Sequence, residues 1–346
     1  MLIDGVKIGT NSPCYIVGEI SANHSGKISK LFRLINKAKS AGVNAVKIQA
    51  YAANTITIDS NLKDFRIPKK NSWEKYKNLY KLYEKGQTPL SWLPKIFKYC
   101  RKKKITVFAS VFDISSLKLL KKLKCPAYKI ASPEITDIPL LEEVSKTGKP
   151  IILSTGLANY QDLKLAYKTL KKNTNKIAIL KCISSYPAKI EELNLNTMMD
   201  IKKQYKCPVG FSDHTLGKEC SILAAAMGAE IIEKHFIENK SDKSLDSFFS
   251  LDANSLKTMI NQIRDNEIAK GKIDYTITKN SKKNMNGRRS LYVVQPILKG
   301  KQITVNNVKS IRPSYGLHPK YLKNILGKKV KKNLLPGERL SLKNII

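Results

Sequence analysis

Two of the four histidines, His214 and His235, each end a short apolar run, in Gly-Phe-Ser-Asp-His-Thr-Leu-Gly (210–217) and Ile-Ile-Glu-Lys-His-Phe (231–236). One helix-length segment separates the runs. If both are parallel strands of one sheet, the imidazoles stand at the same edge about one strand spacing apart, ~5 Å. Two neutral imidazoles at that separation can hold one divalent metal ion. A satisfied core histidine is the competing reading for either residue alone.

Other apolar runs also finish in polar residues: Glu19, Lys47 with Gln49, Ser110, Lys129 then Ser132, Ser154, Lys181, and Ser212 ahead of His214. Lysines aimed into a buried mouth need an anionic partner, because unpaired buried charge is costly. With the hydroxyls of Ser132, Ser154, Ser184 and Ser212, Lys47 and Lys129 would suit a phosphate and a carboxylate. A metal beside such a cradle suggests a small phosphorylated anion reacting next to a Lewis acid. Glu19, followed by Asn23-His24, reads either as an acid–base group with its turn or as a helix-capping turn.

The elements that must position these residues alternate regularly. Strands are expected over 15–19, 45–49, 106–110, 127–130, 151–154, 177–181, 208–212 and 230–235. Helical segments lie between them, at 30–41, 93–103, 116–122, 140–147, 161–170 and 220–227, and one more follows at 254–270. This is the α/β pattern of a (β/α)8 TIM barrel, in which every strand's carboxyl end meets on one face. An open doubly wound sheet is the alternative, but no glycine-rich fingerprint follows the first strand. The segment 51–89 is too long for a plain connection and is expected to wall or cover the site. The barrel is assigned to 1–270, a polar linker to 271–287 and a small β-rich module to 288–346.

The formal net charge of +36 invites a nucleic-acid or membrane reading. Only eight of the basic residues are arginine, and the lysines interleave with leucines along helical faces, as in 117–124. A solvated lysine-rich surface that attracts anionic substrates is the simpler account, with no nucleic acid and no membrane as partner. The six cysteines show no paired spacing, which fits buried thiols in a reducing cytoplasm. No signal-peptide pattern and no apolar run of membrane-spanning length is seen.

Taken in order, several stretches resemble one family along nearly the whole chain. They are Gly18-Glu19-Ile20-Ser21-Ala22-Asn23-His24, Val46-Lys47-Ile48-Gln49, Tyr128-Lys129-Ile130-Ala131-Ser132, Leu153-Ser154-Thr155-Gly156, and the two histidine motifs. They are similar to those of the sialic acid synthases, which condense phosphoenolpyruvate with an amino sugar to give nonulosonic acids. Arg289-Ser290-Leu291-Tyr292-Val293-Val294, Ser310-Ile311-Arg312-Pro313 and Leu326-Gly327-Lys328 resemble that family's antifreeze-like (SAF) domain.

The resemblance implies a divalent metal, typically manganese with magnesium or cobalt as alternatives, on His214 and His235. It also implies Glu19 as the acid–base residue, and a phosphoenolpyruvate site of Lys47, Lys129, Ser110, Ser132, Ser154, Ser184 and Ser212 with Tyr186 and Gln49 close by. Asp246 would contact sugar and metal-bound water. Arg312 would reach the sugar's N-acyl group in the barrel of a second subunit, which implies a domain-swapped homodimer. Ser110-Val111-Phe112 departs from the family's usual Thr-Pro-Phe but keeps a hydroxyl.

Within the family, 20–24, 55–59 and 246–252 are spelled as in the branch that makes pseudaminic acid. The acceptor would then be 2,4-diacetamido-2,4,6-trideoxy-L-altrose, with Phe248, Phe249 and Tyr51 as candidate apolar surface. The N-acetylneuraminate and legionaminate branches, and a non-catalytic sugar- or polyanion-binding barrel, are the alternatives.

Overall fold

The computed structural model describes residues 1–346, which fall into two compact units, Met1–Gly271 and Lys272–Ile346.

In the first unit eight parallel strands close into a barrel. They are β1 Tyr15–Glu19, β2 Ala45–Ala50, β3 Thr106–Val111, β4 Tyr128–Ile130, β5 Ile151–Ser154, β6 Ile177–Cys182, β7 Val209–Asp213 and β8 Ile231–Ile237. Each pairs with the next, and β8 pairs with β1 in register His235↔Glu19, which closes the ring. The strands are buried on both faces, which is why they read as continuous apolar runs broken only where chemistry intrudes. Each expected strand is present within a residue or two at either end.

Eight helices cover the barrel: α1 Ile28–Ala41, α2 Leu93–Lys103, α3 Ile114–Lys122, α4 Ile138–Ser145, α5 Tyr160–Lys171, α6 Asn196–Tyr205, α7 Glu219–Ala226 and α8 Ala253–Lys270. In α1, Leu31, Leu34, Ile35 and Ala38 are buried at helical spacing. The helix stops at Gly42, whose φ of 93° suits only a residue without Cβ. Asp113 and Asp137 cap α3 and α4 by accepting backbone N–H bonds, and Asn159 with Asp162 forms a reciprocal capping box on α5. Of these eight, α6 is the one with no expected segment. It buries only Met198 and Ile201, so it carries too weak an apolar period to be seen.

Gly210 on β7 has its Cα packed against the Ile231 carbonyl of β8, where a Cβ would collide with backbone. Gly210→Ala is expected to destabilise the barrel by about 3 kcal/mol, the upper end of overpacking costs, because a strand rather than a side chain must move. Urea unfolding of the variant checks this.

The second unit has its own core, with Leu291, Val293, Ile303, Val308, Val330 and Leu334 buried together. Strands β9 Ser290–Val293 and β10 Val308–Ile311 pair antiparallel. Turns at 298–301 and 335–338 place Gly300 and Gly337 at φ of 79° and 90°. No helix of the chain is long and apolar enough to cross a membrane.

Candidate active site

Strand alternation sends every second side chain into the barrel. At the carboxyl mouth this brings Lys47 and Gln49 from β2, Ser110 from β3, Lys129 from β4, Ser154 from β5, Ser212 from β7 and His235 from β8 into one cavity of about 830 Å³. Ser132, Ser184, Tyr186, His214 and Asp246 join them from the following loops. Glu19 lies fully buried at the floor and reaches the cavity through Lys47. Lys181 is not part of the lining. Its neighbour Cys182 faces inward instead, so the sequence reading placed the wrong member of that pair in the mouth. Arg312 belongs to the second unit and is exposed.

Buried charge is organised around Glu233. Lys129 Nζ donates to both its oxygens at 2.8 and 2.9 Å, and Ser212 Oγ donates to Oε1 at 2.9 Å. Lys47 Nζ lies 3.4 Å from Glu233, 2.8 Å from Glu19 Oε2 and 3.0 Å from Ser110 Oγ. Burial by itself would push the Glu233 carboxyl up, but Lys129 and Lys47 outweigh it and hold it well below the usual carboxylate range. Glu19 goes the other way. Burial, helped by the Glu233 charge and only partly opposed by Lys47, pushes it up to about 7. Two carboxyl groups with values driven apart are how one site separates a permanent anion from a proton carrier.

That shift has a consequence for stability. An acid whose folded value is raised contributes stability that is complete below its unfolded value and lost as pH rises through the folded one. Wild-type protein is therefore expected to lose of order 3 kcal/mol from Glu19 between pH 4.5 and 7, and Glu19→Gln to lack that loss. Denaturant midpoints of the two proteins at pH 4.5 and 8 test it.

Beside Lys129 the hydroxyls form a concave cradle. Gly156 N–H donates to Ser132 Oγ at 2.8 Å, and a Cβ on Gly156 would collide with Ser184. The hydroxyls of Ser154 and Ser184 are buried without a protein partner. Buried polar atoms left free in this way are a ready set of contacts for an anionic ligand.

His214 and His235 face each other with ring centroids 5.4 Å apart, as the strand spacing predicted. His214 Nδ1 lies 2.8 Å from the Ile183 carbonyl, a bond that fixes the ring and leaves Nε2 free. His235 Nδ1 is buried without a partner, and burial followed by the nearby His214 holds the ring well below its ordinary value, so it stays neutral. His214 is held above its ordinary value, because Cys182 and the Ile183 carbonyl outweigh the lowering by burial. A divalent cation would take the neutral His235 ring and displace the His214 Nε2 proton. No third His, Cys, Asp or Glu completes a protein-only cluster, so substrate and water oxygens would fill the other positions, as in an open catalytic site.

Behind the histidines, on the outer side of the wall, Asp213 and Lys234 pair at 3.0 Å with no exposure at all. Thr215, Ser221 and the Thr215 carbonyl satisfy the remaining bonds. The pair ties β7 to β8 next to the two histidines. Asp246 is held by Ser21 Oγ at 2.6 Å, which joins the loop after β8 to the end of β1.

Asn23 and His24 take the structural role. Asn23 Nδ2 donates to the Phe236 carbonyl and its Oδ1 accepts from Ser244. His24 Nδ1 accepts from Gly26 N–H, with Thr88 on the other nitrogen at 3.2 Å, and burial lowers the ring to about 4. The 51–89 segment does form a wall: Tyr51, Ile56, Ile67, Trp73 and Leu82 line the cavity. Phe249 lines it too, whereas Phe248 is 42% exposed and lines a smaller cleft behind Trp73.

Residues 34–275 match the NeuB family, and 288–346 match the SAF domain. The chain belongs to the NeuB family. It is 42% identical over 335 residues to a pseudaminic acid synthase of Helicobacter pylori, covering 96% of this chain and 98% of that one. Against an N,N'-diacetyllegionaminic acid synthase of Legionella pneumophila identity is 32%, with 99% and 98% covered. The solved N-acetylneuraminic acid synthetase of Leptospira borgpetersenii superposes with a TM-score of 0.73 at 29% identity, over 82% of this chain and 94% of that one. This NeuB-family chain thus combines the barrel with the SAF domain.

Glu233, Glu134, Cys182 and Trp73 were not picked out as site residues from sequence. Glu233 shares a strand face with His235 two residues on, so period-two reading alone would have found it. Cys182 follows from the same rule on β6. Glu134 follows Ser132 by two residues, and burial raises its carboxyl to about 8. Trp73 lies in the irregular segment after β2, where no periodicity marks it.

Proposed function

We propose that this protein condenses phosphoenolpyruvate with 2,4-diacetamido-2,4,6-trideoxy-L-altrose to give pseudaminic acid and inorganic phosphate. The observation that carries the reading is the joint presence, in one buried mouth, of two lysines, a hydroxyl cradle and two free imidazole nitrogens. The sugar assignment is supported by the higher identity to the pseudaminic acid synthase than to the legionaminic one.

His214 and His235 would hold a divalent cation, manganese in our reading with magnesium or cobalt as alternatives. When bound it polarises the acceptor aldehyde. Lys47 and Lys129, with Ser110, Ser132, Ser154, Ser184 and Ser212, hold the phosphate and carboxylate of phosphoenolpyruvate, and Gln49 flanks Lys47 on the same strand face. They fix its C3 against the aldehyde carbon, an orientation effect worth several kcal/mol.

The new bond forms between those carbons, water adds at C2, and the C2–O bond to phosphate breaks, so that phosphate leaves with the bonding pair. Glu19, poised near neutrality, takes the proton of the water that adds at C2. Tyr186 lies beside the phosphoenolpyruvate site, and Asp246 orients the sugar. Arg312 from a second subunit would contact its N-acyl group, which makes the working unit a domain-swapped homodimer in the cytoplasm.

Phosphate release by manganese-loaded protein, with the altrose derivative, N-acetylmannosamine and the legionaminate precursor side by side, tests the reading. Turnover of the altrose derivative above the others is expected. Preference for another sugar moves the chain to that branch, and binding without turnover of any sugar makes it a non-catalytic barrel.

A further inference from the structure

Six rings form a closed circuit that starts at the two imidazoles. Centroids are 4.4 Å apart from His214 to Tyr186, 5.5 Å from Tyr186 to Trp73 and 5.8 Å from Trp73 to Phe248. From Phe248 to Phe249 the separation is 5.0 Å, and from Phe249 back to His235 it is 4.8 Å. The member farthest from the imidazoles along the circuit on the cavity side is Trp73.

Trp73 is pinned rather than loose. Its Nε1–H donates to the Leu245 carbonyl at 3.2 Å, and the adjacent Ser72 hydroxyl donates to the Tyr186 carbonyl at 3.3 Å. With its one polar atom committed, the indole presents an apolar face. It forms the partition between the main cavity and a second cleft of about 320 Å³, lined on its other side by Phe248, Lys75 and Lys243.

We propose that Trp73 is a specificity-determining residue that receives the deoxy end of the open-chain acceptor and disfavours sugars carrying a hydroxyl there. The inference rests on the reaction proposed above. With the aldehyde at the imidazoles, the carbons farthest from it run along this wall. A methyl group there buries against an aromatic face. A hydroxyl set against the indole face loses water and gains no partner from it, which gives discrimination of about 10²-fold and no more.

The test compares kcat/KM for the 2,4-diacetamido-2,4,6-trideoxy sugar and for its 6-hydroxy analogue in wild type, Trp73→Phe and Trp73→Ala. For Trp73→Ala, about a 10–100-fold fall is expected with the deoxy sugar and little change with the hydroxylated one, so the preference collapses. KM for phosphoenolpyruvate should stay unchanged, and Trp73→Phe should keep most of the preference. The chain has two tryptophans, Trp73 and Trp92. In a Trp92→Phe background the emission of Trp73 alone should respond to the deoxy sugar in the absence of phosphoenolpyruvate.

Equal losses with both sugars, or a parallel rise in KM for phosphoenolpyruvate, would overturn the inference, since a merely structural loop residue would act that way. If wild type itself does not turn over the deoxy sugar, the proposed reaction has failed rather than the role of Trp73.

Discussion

His235→Ala is expected to lower phosphate release from phosphoenolpyruvate by about 10³-fold or more. Loss of a Lewis acid that polarises a carbonyl removes several kcal/mol of transition-state stabilisation, and each 1.4 kcal/mol is tenfold. Stability should change little, because the imidazole Nδ1 has no protein partner to strand. Manganese binding followed by calorimetry should weaken in step with activity, and His214→Ala should behave alike. A variant at either position with full activity and undiminished manganese affinity would remove that residue from the ligand set. A loss of activity accompanied by unfolding would point to packing instead.

The second large effect is on stability. Glu233→Ala leaves Lys129 and Lys47 facing each other with only Glu19 to balance them, at a cost of about 3–5 kcal/mol, the range for breaking a buried ion pair from one side. The pH dependence has the opposite sign to that of Glu19. A carboxyl held below its ordinary value contributes stability above its unfolded value and loses it as pH falls towards the folded one. The gap between wild type and Glu233→Ala should therefore be widest near neutral pH and narrow below about pH 4.5. Urea titrations at pH 7 and pH 3 measure it. A gap of equal size at both values would assign the loss to the cavity left by the side chain rather than to charge.

These two results probe different parts of one design. Glu233 aligns two lysines in a place that disfavours their charge. Burial and the Lys47 charge still hold Lys129 below its ordinary value, whereas Glu19 and Glu233 outweigh burial at Lys47 and hold it above. The Asp213–Lys234 pair does similar work on the far side of the wall, where no substrate reaches. It braces the strands that carry the histidines.

Much of the barrel was legible because its physics is local and periodic. Fully buried strands show as apolar runs, and α1 and α2 show their buried faces at helical spacing. The strand ends stood out because Lys47, Lys129 and His235 interrupt those runs with groups that burial penalises. Where local signal is weak, the reading failed in a corresponding way. α6 has two buried residues and went unseen, and at the end of β6 the conspicuous Lys181 drew attention from Cys182, which faces the cavity.

The sequence by itself determined which side chains sit at the strand ends, since alternation and burial follow from the order of residues. It thereby placed two lysines, a row of hydroxyls and two imidazoles at one end of the barrel. Only the tertiary structure decided how those charges pair. It made Glu233 the common acceptor for both lysines, left Glu19 near neutrality and gave His24 to the scaffold. It also set Trp73, 162 positions before His235 in the chain (235 − 73), into the same ring of aromatics. Ion pairing and solvent exclusion depend on distances between elements far apart in sequence, and closing the barrel is what fixes those distances.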